Sequence, residues 1–351
     1  MNSKDTRLLN RREFSGLCVA LSSFVTSSGA SALASYTSMV NWDGSENDYG
    51  VSPLMPNDGK WSHHTYFSNI RGRKIGFVLR VPQQYLDNPN QRFPVLYMCK
   101  GGHTDPGSPG ENIIFETFGN QAWINGPMVD WVDPATGQDR PVIYVHPNGS
   151  GIAKWVDAKK GSGCLGDQQG MYPMAAMPEF IAHIDANWRT VNHQKARAII
   201  GGSGGGVGCA RAAFLYPELF CAAYIFFPAC DDFTTTTVHC PNGEECPNLI
   251  NTCAGDGAYW DNLTLQHLVV TRRDAILAAG TRFKMSVGVQ DPLYTDGWVP
   301  NFFNQIIDEG LSNDGVDLMP GGHTDTLALT PEIGWPFSQF DQSVIAAAHP
   351  P

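Results

Sequence analysis

Apolar residues along this chain gather in short blocks separated by polar, glycine-rich or helix-spaced stretches. Five blocks, "FPVLYMC" (93–99), "PVIYVHP" (141–147), "ARAIIGG" (196–202), "CAAYIFFPA" (221–229) and "RFKMSVGV" (282–289), have the length of a strand and are apolar at successive positions. That is the pattern of strands buried on both faces of a parallel sheet. Upstream, "HHTYFSNI" and "KIGFVLRV" flank Arg71-Gly72 and read as the two strands of a hairpin. Helical spacing fills the intervals at 175–190, 206–220, 263–280 and 299–310, with Gly280 and Gly310 placed to stop the last two. Strand and helix alternate, so the expected architecture is α/β: a central, mostly parallel sheet covered by helices on both faces. No repeat or linker divides it. The expected body runs from residue 63 to 351 behind a polar leader (35–62), and residues 230–262 read as an insertion that caps the site.

Composition and charge narrow the class. With 42% hydrophobic residues in 351, the chain can bury a large core. A net charge of −11 argues against nucleic acid or an anionic membrane surface as partner, since either asks for a basic face. Residues 1–34 stand apart. "NRREFSGLCVALSSFVTSSGASALA" begins with Arg11-Arg12, continues as a short apolar run and ends in Ala32-Leu33-Ala34, the tripartite form of a cleaved export signal. The arginine pair followed by Glu13-Phe14 resembles the twin-arginine signal, in which a folded protein crosses the membrane. The run is short and rich in Ser and Thr for a span, so a periplasmic or secreted protein with no stable membrane association after export is expected.

Cys18 lies in that segment. Cys230, Cys240, Cys246 and Cys253 crowd into the insertion among Pro, Gly, Asn and Thr, where an exported chain would close disulfides in one of three pairings. Four thiolates can also bind zinc, but these lack a tight Cys-x-x-Cys pair, and no metal is expected. Cys99 and Cys221 fall in apolar blocks and read as small buried hydrophobes.

The candidate chemistry centres on "AIIGGSGGGVGCARAAF" (198–214). A strand runs into Gly201-Gly202-Ser203-Gly204-Gly205 and then into a helix, the setting in which a Gly-x-Ser-x-Gly turn presents its serine as a nucleophile. A phosphate-binding loop would instead want Gly-Lys-Ser/Thr, or Gly-x-Gly-x-x-Gly with an acidic residue about twenty positions on. Neither stands here. In the strand–turn–helix arrangement an acid and a histidine follow the serine in that order. After Ser203 the histidines are His239 in the cysteine-rich insertion, His267 within a helix, His349 near the end, and His323 in the loop "MPGGHTD". Position favours His323 as base. Asp291, in "VGVQDPLYTDGW" past the strand 282–289, is the expected acid, with Asp296 as the second choice. An oxyanion hole would take the N–H of Gly204 and one from Gly101, Gly102 or His103, after the strand 93–99.

On "RFPVLYMCKGGHTD", "IIGGSGGGVGCARAAFLYPELF", "VGVQDP" and "GGHTD", the chain resembles the exported esterase branch of the α/β-hydrolases over about residues 63 to 340. That branch includes esterase D, the feruloyl and acetyl-xylan esterases, the enterochelin esterases and the mycolyl transferases. The resemblance implies an α/β-hydrolase fold, Ser203 as nucleophile, Asp291 as acid, His323 as base, and N–H groups of Gly204 and the Gly102 region as oxyanion hole. Two departures stand out. The family usually has His-Gly where this chain has Lys100-Gly101, and many relatives carry a larger residue where this chain has Gly202.

The implied reaction is hydrolysis of a carboxylic ester through an acyl-enzyme, with no cofactor. Trp155, Tyr259, Trp260, Tyr294 and Trp298 are candidates to stack on a sugar or phenolic ring, Trp298 before the others, and Lys100 could place a charge near the site. The expected substrate is therefore a small-molecule or polysaccharide-linked ester of a carbohydrate or phenol. The alternatives are an acyltransferase of the mycolyl transferase type, using the same serine, and a non-catalytic carbohydrate-binding homologue. Oligomeric state leaves no mark in the sequence.

Overall fold

The computed structural model describes residues 60–99, 137, 139–147, 155–168, 170–228, 255–323 and 334–349. Each apolar block becomes a strand. The hairpin is β1 (Trp61–Ser68) and β2 (Arg73–Arg80), and the five blocks are β3 (Val95–Cys99), β4 (Ile143–Pro147), β5 (Arg197–Gly202), β6 (Ala222–Phe226) and β7 (Arg282–Gly288). An eighth strand, β8 (Asn313–Met319), completes a sheet of order β1-β2-β4-β3-β5-β6-β7-β8. β1 and β2 run antiparallel to their neighbours, and from β4 across to β8 every pairing is parallel. β8 is the strand that the apolar pattern did not announce. Among the described residues it pairs only with β7, so "NDGVDLM" need not be apolar on both faces.

Helices cover the sheet as the spacing anticipates: α1 (Met177–Asn187), α2 (Gly204–Leu215), α3 (Leu265–Thr271), α4 (Arg273–Ala279) and α5 (Trp298–Asp308). The stretch expected as one helix over 263–280 is two, parted at Arg272, where the backbone leaves helical angles at φ −102 and ψ 1. The guanidinium of Arg272 donates to the carbonyls of Phe214 and Leu215, so the break is also where α2 gains partners for its last carbonyl groups. Gly280 ends α4 in the left-handed conformation.

One face of the sheet packs Phe283 of β7 against Phe214 of α2, which meets Phe302 of α5, while Tyr97 of β3 meets Phe180 of α1. α5 buries Val299, Phe302, Phe303 and Ile306, an i, i+3, i+4, i+7 stripe. Each such side chain contributes roughly 1.5–3 kcal/mol relative to exposure. On the opposite face Tyr224 and Tyr144 lie edge-on to Trp335 and Phe337. Below the sheet's carboxyl edge, Arg197 at the start of β5 forms a buried ion pair with Asp185 of α1, 2.6 Å long.

Of the expected insertion, residues 230–254, with all four of its cysteines, lie outside the described residues. Its end is seen: Gly257–Asp261 forms a short helix, with Trp260 buried and the Tyr259 hydroxyl donating to the carbonyls of Asp157 and Ala158. Cys99 and Cys209 are buried free thiols, and burial pushes both well above the ordinary thiol range, so neither is a ready nucleophile.

Candidate active site

The site forms at the carboxyl ends of β5, β7 and β8. Between β5 and α2 the chain turns at Ser203, whose backbone angles are φ 56 and ψ −125. A non-glycine residue held there stores on the order of 1–3 kcal/mol of strain, and it persists only when its surroundings over-determine it. They do so here. The Ser203 N–H donates to the Phe226 carbonyl at 3.1 Å, and the Ser203 carbonyl accepts from Val207 N–H at 3.2 Å. A β-carbon at Gly201 would overlap the carbonyl oxygen of Gly205, so position 201, the first glycine of Gly-x-Ser-x-Gly, has no room for a side chain.

β7 and β8 deliver the other two groups. Past β7 the chain turns at Asp291, fully buried, whose Oδ1 accepts from the Leu293 N–H at 2.9 Å and so caps the short helix Pro292–Thr295. β8 runs on through Gly321 and Gly322 to His323, and the ends of the two strands are tied by Val289 N–H to Met319 and Gln290 N–H to Gly321. His323 Nδ1 lies 2.8 Å from Asp291 Oδ2, and its Nε2 lies 2.9 Å from Ser203 Oγ. An ionised carboxylate only accepts, so Nδ1 carries the proton and Nε2 presents its lone pair to the serine hydroxyl. The imidazole is about one-third exposed and the carboxylate not at all. This arrangement can draw a proton off Ser203 while the imidazolium that forms faces a fixed negative charge.

Other candidates fall elsewhere. Asp296 is exposed at the end of the short helix, His267 is exposed on α3, and His349 Nε2 is bonded to the Arg92 carbonyl. Gly204 opens α2, where the first N–H groups of a helix have no partner within it. Lys100, Gly101, Gly102 and His103, with the expected second oxyanion donor, lie outside the described residues, as does His239. Trp298 is half-buried at the start of α5. Trp155 is in the core, 2% exposed, with its ring on the helix surface at Gly208, where a β-carbon would stand 2.5 Å from Cδ1. Buried in that way it supports α2 from beneath and offers no face to a substrate. Sequence reading also missed Phe227, whose ring meets His323 edge-on with centroids 4.7 Å apart. Gly202, which lies against that ring, was its one trace.

Strand order, the strained serine turn and an acid and a histidine from the two following strand ends define an α/β-hydrolase fold. A family description, "Putative esterase", matches residues 68–272, and the chain belongs to that family of carboxylic-ester hydrolases. No curated protein matched the chain. Among solved structures it is similar to a ferulic acid esterase, at 20% identity and a TM-score of 0.57, covering 80% of this chain and 98% of that one. An S-formylglutathione hydrolase from Agrobacterium tumefaciens is similar at 16% identity and a TM-score of 0.53, covering 80% and 95%. A fluorophosphonate-binding serine hydrolase from Staphylococcus aureus follows at 14% and 0.52, covering 82% and 96%. At these identities the likeness is one of fold.

Proposed function

We propose that this chain is a serine esterase in which Ser203 is the nucleophile, His323 the general base and Asp291 the group that holds the imidazole. The hydrogen-bonded line from Ser203 Oγ through His323 to Asp291 carries the reading. Ser203 Oγ attacks the ester carbonyl as its proton passes to His323 Nε2. The tetrahedral oxyanion is held by the Gly204 N–H and by a second N–H from the Gly102 region, each donor contributing about 3 kcal/mol to lowering the barrier. Collapse expels the alcohol, which takes the proton from His323, and leaves an acyl-enzyme. Water, deprotonated by the same nitrogen, releases the acid and restores Ser203. A line of three groups in working order weighs against a purely binding role.

The proposed substrates are esters of phenols or carbohydrates. Trp298 and Tyr294 flank the turn after Asp291 as candidate stacking surfaces, and no substrate contact is assigned to Trp155. We also propose export, directed by residues 1–34, with cleavage after Ala34 read out by N-terminal sequencing of the mature protein.

A pre-steady-state experiment with p-nitrophenyl acetate tests the chemistry. A burst of nitrophenolate equal to the enzyme concentration, absent from Ser203→Ala, is the expected result. A burst of the same size in Ser203→Ala would assign the nucleophile elsewhere.

A further inference from the structure

We propose that Phe227 is a positioning residue for His323, and that residue 202 is glycine to leave room for its ring. The proposal rests on the reading of Ser203 and His323 as nucleophile and base. Two hydrogen bonds, one at each ring nitrogen, fix the ends of the imidazole but leave it free to tilt about the line joining them. His323 also sits on a loop beyond an edge strand, one-third exposed. Something packed against the ring has to stop that tilt, and Phe227 is in place to do it.

Phe227 directly follows β6, is 3% exposed, and meets the imidazole edge-on at an interplanar angle of 68°. Such an arrangement is favourable for two aromatic rings. The far end of the same ring abuts the turn before the nucleophile: a β-carbon at Gly202 would stand 2.9 Å from its Cζ and 3.2 Å from its Cε2. One ring therefore spans from the residue preceding Ser203 to the base that serves it. Its backbone is held at φ 28, sterically costly for a bulky residue, and its N–H donates to the Ser286 carbonyl at 2.6 Å. A strained residue so fixed suits a role in placing its side chain. Glycine at 202 fits this arrangement because the space beside the turn is filled by the Phe227 ring.

The test uses the full chain with p-nitrophenyl acetate and the variants Phe227→Leu, Phe227→Tyr, Gly202→Ala and the double variant Gly202→Ala/Phe227→Leu. Phe227→Leu should lower kcat roughly tenfold and leave KM within about twofold, because the base is misplaced while ground-state binding is kept. Phe227→Tyr, which keeps the ring, should restore most of kcat. Gly202→Ala should cost several-fold alone, by pushing the ring onto His323, and nothing further on top of Phe227→Leu. Equal losses for Leu and Tyr, fully additive losses with Gly202→Ala, or an effect confined to KM would overturn the proposal. A second readout is independent of the nucleophile's identity: the His323 ring-proton resonances in Ser203→Ala, with and without Phe227→Leu. They should move when the aromatic ring is removed, and unmoved resonances would overturn the contact. If Ser203→Ala kept wild-type turnover, the nucleophile assignment would fail, and the resonances would still decide the positioning.

Discussion

Gly288, the last residue of β7, lies against the carbonyl of Gly321 with no space for a side chain between them. A β-carbon there would overlap that oxygen and stand 2.7 Å from the carbonyl oxygen of Gly322. This close approach lets the loop beyond β8 fold across the end of β7, which brings His323 to Asp291. Gly288→Ala should therefore separate the two strand ends. The expected outcome is a loss of about 1–3 kcal/mol in urea unfolding, as for other forced overpacking, with a fall in kcat that exceeds any change in KM.

Asp291→Asn tests the carboxylate without emptying its site. The amide oxygen can still accept from Leu293 N–H, but the amide nitrogen would face His323 Nδ1 and favour the tautomer with its proton on Nε2, towards Ser203. kcat should fall by on the order of 10³–10⁴, with the melting temperature nearly unchanged. Stopped-flow turnover beside a thermal melt checks both halves.

The buried pair Arg197–Asp185 supports the start of the strand that leads into Ser203. Its side chains are 3% and 7% exposed, and Asp185 also accepts from the Thr190 hydroxyl at 2.6 Å. Asp185→Ala would leave a guanidinium buried beside one amide oxygen, that of Asn192, and the Leu219 carbonyl. The expected cost in equilibrium unfolding is about 3–5 kcal/mol, several times that of removing an exposed pair such as Lys195–Asp341.

Glu179, in the first turn of α1, fastens the β1–β2 hairpin. Its carboxylate accepts from the Ser68 hydroxyl at 2.5 Å, from the Asn69 N–H at 2.8 Å and side-chain amide at 3.1 Å, and from the Ile70 N–H. Partial burial raises its pKa, these hydrogen bonds lower it, and the hydrogen bonds prevail. The folded state thus binds this proton less readily than the unfolded chain does, so the stabilisation is present above the ordinary carboxylate range and lost as pH falls through the depressed value. Glu179→Gln should cost about 1 kcal/mol at neutral pH. In urea unfolding at a series of pH values, the gap to wild type should close as the medium is acidified.

The sequence by itself marked out the strands β1 to β7 and most of the helices that cover them, and it singled out Ser203, Asp291 and His323 as candidates. Those features depend on short-range patterns: apolar runs long enough for a strand buried on both faces, a helical period of apolar residues, and glycines around one serine where backbone must touch backbone. Tertiary structure alone decided the rest. β8 could be polar because among the described strands it has a neighbour on one side only, and a strand's position in the sheet is not written in its own residues. The stretch 263–280 had the period of one helix, yet it breaks at Arg272, whose side chain reaches the end of α2 more than fifty residues earlier. Trp155 read as a surface for substrate because an aromatic residue looks the same in a mouth and in a core; the bare face of α2 at Gly208 put it in the core. Phe227 lies in an apolar block like any other, and its contact with His323 joins residues from two different strand ends. Local pattern fixes what a segment can become, while its neighbours across the sheet fix what it touches.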